Sequence, residues 1–240
     1  MTEKLILLPG WGFDAAVLQP LADALAGECQ VQVAALPRLS SASIGDWLDE
    51  LDARLPDTGW LAGWSLGGML AAALAARRGP RCYGLITLAS NACFVANESW
   101  PQALAQDTYA AFYQGCQANA GATLKRFAML CAQGRADARG LSRQLQTHLL
   151  VDDEAALLAG LQVLASLDNR AALSALNGPQ LHLLAELDAL VPAAAGDALL
   201  ALLPAGEVDV LEGCGHAFVH EQADSVAALM LDFIRESENG

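Results

Sequence analysis

Short apolar runs alternate along most of the chain with stretches in which apolar residues recur every three or four positions. Leu5–Leu8 is a run of the first kind, followed by the turn Pro9-Gly10-Trp11-Gly12 and then by Val17, Leu21 and Leu25 at helical spacing. Val31–Ala35 reads as a second strand, ended by Pro37, and Trp47, Leu48 and Leu51 mark the next helix. Trp60-Leu61-Ala62 is a third apolar run, and Gly68 to Arg78 is alanine-rich and helix-forming. Further strands are predicted at Tyr83–Ala89, Leu181–Ala185 and Val208–Leu211, with a closing helix from about Asp224 to Arg235. Repeated strand–helix alternation builds a mostly parallel sheet with helices on both faces. About six or seven strands are expected.

The alternation stops between about residues 96 and 177. Strand patterns give way there to helical ones, through Leu124, Phe127, Met129 and Leu130 and then Leu157, Leu158, Leu161 and Leu164. The expected organisation is a core from residues 1–95 and 178–240, interrupted by a helical lid over residues 96–177. Such a lid would cover the C-terminal edge of the sheet, where open α/β sheets bind ligands.

Composition narrows the setting. A chain of 240 residues that is 54% apolar can bury a sizeable core, which excludes general disorder. A net charge of −14 argues against nucleic acid or an anionic membrane as partner. Residues Thr58 to Ala76 carry no charge and imitate a membrane span, but they divide into a buried strand and a buried helix, so a soluble protein is expected. The N-terminal apolar run is too short for a signal peptide. Six cysteines without Cys-x-x-Cys spacing read as reduced, mostly buried thiols of a cytoplasmic protein. Cys214, two residues before a candidate base, is poorly placed as a nucleophile.

The chemistry is concentrated in Gly63-Trp64-Ser65-Leu66-Gly67, which matches the Gly-x-Ser-x-Gly nucleophile elbow of α/β-hydrolases in a strand–turn–helix setting. Glycines allow the sharp turn, and the N–H of the residue after the serine can bind an oxyanion. A serine nucleophile needs a base, and the base a carboxylate that fixes its tautomer, here in the chain order serine, acid, histidine. Of four histidines, His148 falls in the lid and His182 inside an apolar strand, whereas His216 lies in a glycine-rich loop after a strand. His220 gives a His-x3-His spacing without a carboxylate cluster, so no metal is expected, and no cofactor. Asp188, just after Leu181–Ala185, is the expected acid, with Glu186 as alternative. Trp11, in the loop after the first strand, offers the second oxyanion N–H beside Leu66.

Five basic residues (Lys125, Arg126, Arg135, Arg139 and Arg143) and one acid, Asp137, lie between Ala122 and Thr147. Arg135, Arg139 and Arg143 are spaced to share one helix face. Two readings stand: a solvated face, or a docking surface for an acidic partner.

Together these residues resemble one family, the pimeloyl-[acyl-carrier protein] methyl ester esterases of biotin synthesis. The resemblance is nearly full-length. It runs through Gly10-Trp11-Gly12, Leu61 to Gly68, Cys93-Phe94 with Glu98-Ser99-Trp100-Pro101, Arg126-Phe127 with Asp137-Ala138-Arg139, Leu187 to Pro192, and Gly215-His216-Ala217-Phe218. It implies Ser65 as nucleophile, Asp188 as orienting acid and His216 as base, with Trp11 and Leu66 on the substrate carbonyl. It further implies that Phe127, Ala128, Met129, Leu130 and Cys131 line an acyl channel. Arg126, Arg135 and Arg139 would engage an acyl carrier protein bearing a methyl pimeloyl chain. The chain departs from the family at Pro9, where histidine is common, and at Ala122, where a lid arginine is expected; it also lacks the usual leading antiparallel hairpin. A monomeric serine esterase is expected. A general short-chain carboxylesterase and a non-catalytic receptor are the alternatives; a dehalogenase would carry aspartate at the elbow.

Overall fold

The computed structural model describes residues 3–134 and 136–239. Six strands form one parallel sheet: β1 (Lys4–Leu8), β2 (Gln30–Val33), β3 (Gly59–Trp64), β4 (Cys82–Leu88), β5 (Gln180–Ala185) and β6 (Glu207–Leu211), in the order β2-β1-β3-β4-β5-β6. All six lie where apolar runs predict them. Every residue of β3 and β5 is buried, while the edge strands β2 and β6 are partly exposed. A central parallel strand is covered on both faces and so needs a continuous apolar run rather than alternation.

Helices α1 (Gln19–Leu25), α2 (Ile44–Arg54), α3 (Leu66–Arg78), α9 (Ala195–Leu202), α10 (Phe218–Glu221) and α11 (Ala223–Asn239) accompany the sheet. The uncharged stretch Thr58–Ala76 is divided between β3 and α3. No helix among the described residues is long and apolar enough to cross a membrane. All six cysteines are buried, and no disulfide joins any two.

Strand order reverses between β1 and β3. Chains leaving the C-terminal ends of these neighbours diverge, and the crevice between them is where open α/β sheets take ligands. β1 runs into Pro9-Gly10-Trp11-Gly12 and β3 runs into Ser65, so topology alone brings these two segments together.

Between β4 and β5 the chain forms α4 (Gln106–Ala118), α5 (Ala120–Cys131), α6 (Ala138–Gln146), α7 (Glu154–Ser166) and α8 (Arg170–Ala175), with only isolated bridges among the described residues. Asn119, Asp137 and Asp153 start α5, α6 and α7 by accepting hydrogen bonds from the N–H three residues on. This segment is stitched to the loop after β1: Asp14 N–H donates to the His148 carbonyl at 2.8 Å, and Leu150 N–H to that of Gly12 at 2.9 Å.

His182 is structural. Its Nδ1 lies 2.7 Å from Thr87 Oγ1 on the neighbouring strand. Burial holds its imidazole down at about 4, below the ordinary value of 6.5. Between these values the unfolded chain takes up a proton that the folded chain refuses, so stability falls as pH drops from about 6.5 to about 4, by up to ~3 kcal/mol. Urea unfolding at pH 7 and pH 4.5 is expected to show this loss, and His182→Asn to remove most of it.

Candidate active site

Ser65 sits where β3 runs into α3, with φ 55 and ψ −120. Such a backbone costs a residue other than glycine about 1–3 kcal/mol. Surrounding bonds hold it there. Its N–H donates to the Leu88 carbonyl at 2.9 Å, and its carbonyl accepts from Gly68 N–H at 3.0 Å, Met69 N–H at 3.1 Å and Ser90 Oγ at 2.8 Å. The flanking glycines are required by contact: a Cβ on Gly63 would lie 2.2 Å from the Gly67 carbonyl carbon, and one on Gly67 2.3 Å from the Leu8 carbonyl oxygen. Strand, turn and helix approach more closely than side chains allow.

Asp188 lies in the loop after β5. Its Oδ1 accepts from the backbone N–H groups of Leu190 and Val191 at 2.8 and 3.0 Å, and its Oδ2 is 2.7 Å from His216 Nδ1. Both side chains are fully buried. A carboxylate facing Nδ1 keeps the ring proton on that nitrogen and leaves Nε2 as the acceptor. His216 Nε2 is buried and has no hydrogen-bond partner among the described residues. Glu186, the alternative acid, accepts instead from Gly213 N–H at 2.8 Å and braces the histidine loop. Trp64, next to Ser65, donates its indole N–H to the His216 carbonyl at 2.8 Å, tying elbow and histidine loop together. Sequence patterning gave no sign of that tie.

The backbone N–H groups of Leu66 and Trp11 have no acceptor among the described residues. Leu66 opens α3, where the first turn has no intrahelical acceptor and the helix dipole favours negative charge. Gly12 has φ +76, and a Cβ there would lie 2.4 Å from Leu124, so the loop is pressed beneath α5. The Trp11 indole donates to the Leu157 carbonyl at 2.8 Å and packs edge-on against Phe112 and Phe127, with centroids 5.5 and 5.2 Å away. Two donors and a buried imidazole acceptor beside a strained serine are the parts of an acyl-transfer site.

The lid residues named from the sequence differ in exposure. Phe127, Ala128 and Cys131 are buried and Leu130 half-buried, but Met129 is 55% exposed. Five consecutive residues of a helix cannot face one channel, because successive side chains point about 100° apart. Met129 instead lines an open groove with Ala138, Arg139 and Arg143. Within α6, which begins at Ala138 and is capped by Asp137, the four-residue spacing joins Arg139 and Arg143. Arg135 lies outside the described residues. Lys125, Arg126, Arg139 and Arg143 are exposed and form no ion pair among the described residues, whereas Arg38, Arg54, Arg77, Arg78, Arg81, Arg170 and Arg235 each face a carboxylate. His220 packs against His148 with ring centroids 6.4 Å apart, and no cluster able to hold a metal occurs among the described residues.

The alpha/beta hydrolase family matches residues 5–229. A pimeloyl-[acyl-carrier protein] methyl ester esterase from Aeromonas hydrophila is 37% identical over 225 residues, covering 89% of this chain and 88% of that protein. The corresponding protein of Aromatoleum aromaticum is 34% identical, covering 96% and 98%. The chain belongs to the pimeloyl-[acyl-carrier protein] methyl ester esterases of the alpha/beta hydrolase family. A biotin biosynthesis bifunctional protein, BioHC, from Cellvibrio japonicus is 40% identical over 235 residues, and this family member spans 47% of its length. Among solved structures, a bromoperoxidase from Bacillus anthracis superposes with a TM-score of 0.85 at 18% identity, covering 98% of this chain and 92% of that one. An esterase from Exiguobacterium antarcticum gives 0.83 at 15% identity, covering 97% and 92%. At such identities these two speak for the hydrolase fold alone.

Proposed function

We propose that this hydrolase converts the methyl ester of pimeloyl-[acyl-carrier protein] to the free acid in biotin synthesis, with Ser65, His216 and Asp188 as its catalytic triad. The observation that carries the triad is the buried Asp188–His216 contact at 2.7 Å, tied through Trp64 to the elbow. The names of the full-length relatives support the substrate.

In this reading His216 Nε2 takes the Ser65 proton as Oγ attacks the ester carbonyl. Leu66 and Trp11 N–H groups receive the oxyanion; each such donor is worth about 10²–10³ in turnover. The ester C–O bond breaks, and methanol leaves with the proton held by His216. A water activated by the same nitrogen then attacks the acyl-enzyme, releasing the carboxylate and restoring Ser65. The helical segment over residues 96–177 serves as the lid. The chain acts as a monomer in the cytoplasm, a setting consistent with six thiols and no disulfide.

The carrier docks on the exposed bases of α5 and α6. Arg126 and Arg139 keep the role implied by the sequence, as does Arg135, which lies outside the described residues, and Arg143 joins Arg139 in the groove beside Met129. Arg126, Arg139 and Arg143, which form no ion pair among the described residues, are available to an acidic protein on a chain of net charge −14. Arg126→Glu with Arg139→Glu and Arg143→Glu is expected to lower kcat/KM for the carrier-linked ester by about tenfold or more at low salt and by less at high salt. Turnover of a small free ester should change less than about twofold. Equal loss on both substrates, or on neither, contradicts docking at this surface and favours a general short-chain carboxylesterase.

A further inference from the structure

Among the described residues, two other than glycine adopt a positive φ: Ser65 at 55° and Ala89 at 46°. Each directly follows one of the paired residues Trp64 and Leu88 that end β3 and β4. Such conformations persist only where the surrounding structure imposes them, and they gather at working sites. The elbow accounts for Ser65 but not for Ala89. The turn at Ala89, whose N–H donates to the Leu183 carbonyl at 2.8 Å, sets the next residue, Ser90, against the first turn of α3. A Cβ on Gly68 would lie 2.8 Å from both Cβ and Oγ of Ser90. There the buried Ser90 hydroxyl donates to the Ser65 carbonyl at 2.8 Å.

That carbonyl shares one planar peptide unit with the Leu66 N–H, and the two point in opposite directions. A bond on the carbonyl therefore fixes where the N–H aims. It also strengthens the N–H as a donor, because linked hydrogen bonds polarise one another. The other two donors to this carbonyl, the Gly68 and Met69 N–H groups, belong to α3 itself. Ser90 reaches it from a different element. Resting on the ester-hydrolysis reading above, we propose that Ser90 is a positioning residue of the oxyanion site. It orients and polarises the Ser65–Leu66 peptide so that the Leu66 N–H meets the developing oxyanion.

The loop that carries Ser90 is anchored without its hydroxyl. Asn91 Oδ1 accepts from the Ala92 N–H at 2.8 Å and the Trp100 indole at 2.9 Å, and its Nδ2 donates to the Gln102 carbonyl at 2.7 Å. Asn169 donates from its side chain to the Met69 carbonyl and from its backbone to the Ala92 carbonyl, both at 2.9 Å, and so joins α3 to this loop. Removing the Ser90 hydroxyl leaves these ties in place. The Ser65 carbonyl also keeps two donors, so no buried acceptor is orphaned.

The test compares wild type, Ser90→Ala and Ser90→Cys on a small free methyl ester, so that the identity of the carrier substrate does not enter. Cysteine fills nearly the same space with a weaker donor. Losing an oxyanion donor outright costs about 10²–10³ in turnover; misaiming one is expected to lower kcat by about tenfold in Ser90→Ala and by less in Ser90→Cys, with KM within about twofold. The second readout uses a trifluoromethyl ketone labelled with carbon-13 at its carbonyl. Ser65 Oγ bonds to that carbon, the Ser65 proton passes to His216 Nε2, and the ketone oxygen becomes an oxyanion facing the Leu66 and Trp11 N–H groups. The carbon-13 resonance of this hemiketal follows protonation of that oxygen. A tenfold loss of oxyanion stabilisation moves its titration up by about one pH unit, the result expected in Ser90→Ala, with a smaller move in Ser90→Cys. A fall in kcat with the hemiketal titration unmoved makes Ser90 a structural brace and overturns the proposal. So does a Ser90→Ala enzyme, or, should that variant fail to fold, a Ser90→Cys enzyme, that matches wild type in both readouts. A wild type that forms no hemiketal on Ser65 overturns the triad reading itself, and the proposal with it.

Discussion

Ser65→Ala is expected to lower methanol release from the carrier-linked methyl ester by roughly a million-fold, to a rate within about 10³–10⁴ of the uncatalysed reaction. Among the described residues the conformation at Ser65 is held through its backbone, by the Leu88 carbonyl, Gly68, Met69 and the Ser90 hydroxyl. The Ser65 hydroxyl takes no part in those bonds, and alanine meets the same cost at φ 55. The unfolding midpoint should therefore stay within about 0.5 kcal/mol of wild type, which separates lost chemistry from lost fold. What remains would be the contribution of the two N–H donors and of substrate positioning. A loss of only about tenfold contradicts Ser65 as nucleophile.

Asp188→Asn is expected to lower turnover by about 10⁴ while leaving the fold in place. Asp188 Oδ1 is committed to two donors, the N–H groups of Leu190 and Val191 at 2.8 and 3.0 Å. An asparagine must keep its carbonyl oxygen on that side, because its amide nitrogen would meet two other donors there. The NH2 group then faces His216 Nδ1 across the 2.7 Å contact and donates to it. His216 is forced to carry its proton on Nε2, the nitrogen that must accept from the serine. The enzyme is thus caught in the wrong tautomer with its geometry intact. Rising pH should not restore it, since the tautomer is set by a hydrogen bond and not by a titration. Measuring kcat and the unfolding midpoint on the same preparation checks both halves. Activity within about tenfold of wild type would place the orienting role elsewhere.

How far the sequence could be read follows from how local each determinant is. The six strands were legible because central parallel strands need unbroken apolar runs, and β3 and β5 have them. The elbow was legible because Gly63 and Gly67 are required by contacts within a few residues of Ser65 or with the adjoining strand. Choosing between Asp188 and Glu186 rested on position after the strand; in the fold one carboxylate meets His216 while the other meets Gly213 N–H. Contacts across long sequence separations were not legible. The Trp11 bond to Leu157 spans 146 residues, and that from Trp64 to His216 spans 152. Neither has a local signature, so neither could be foreseen. The exposure of Met129 among buried neighbours has a geometric reason: a stretch that matches a family in sequence still presents both faces of a helix.

The proposed chemistry turns on Ser65 as the nucleophile of a carrier-ester hydrolase. Titration with a serine-directed phosphonate, followed by peptide mapping and assay on the methyl pimeloyl carrier, tests it most directly. One equivalent of label is expected, on the peptide bearing Ser65, with carrier-ester hydrolysis lost in proportion to labelling. Full labelling at Ser65 with hydrolysis retained, or hydrolysis lost with the label on another residue, would contradict it.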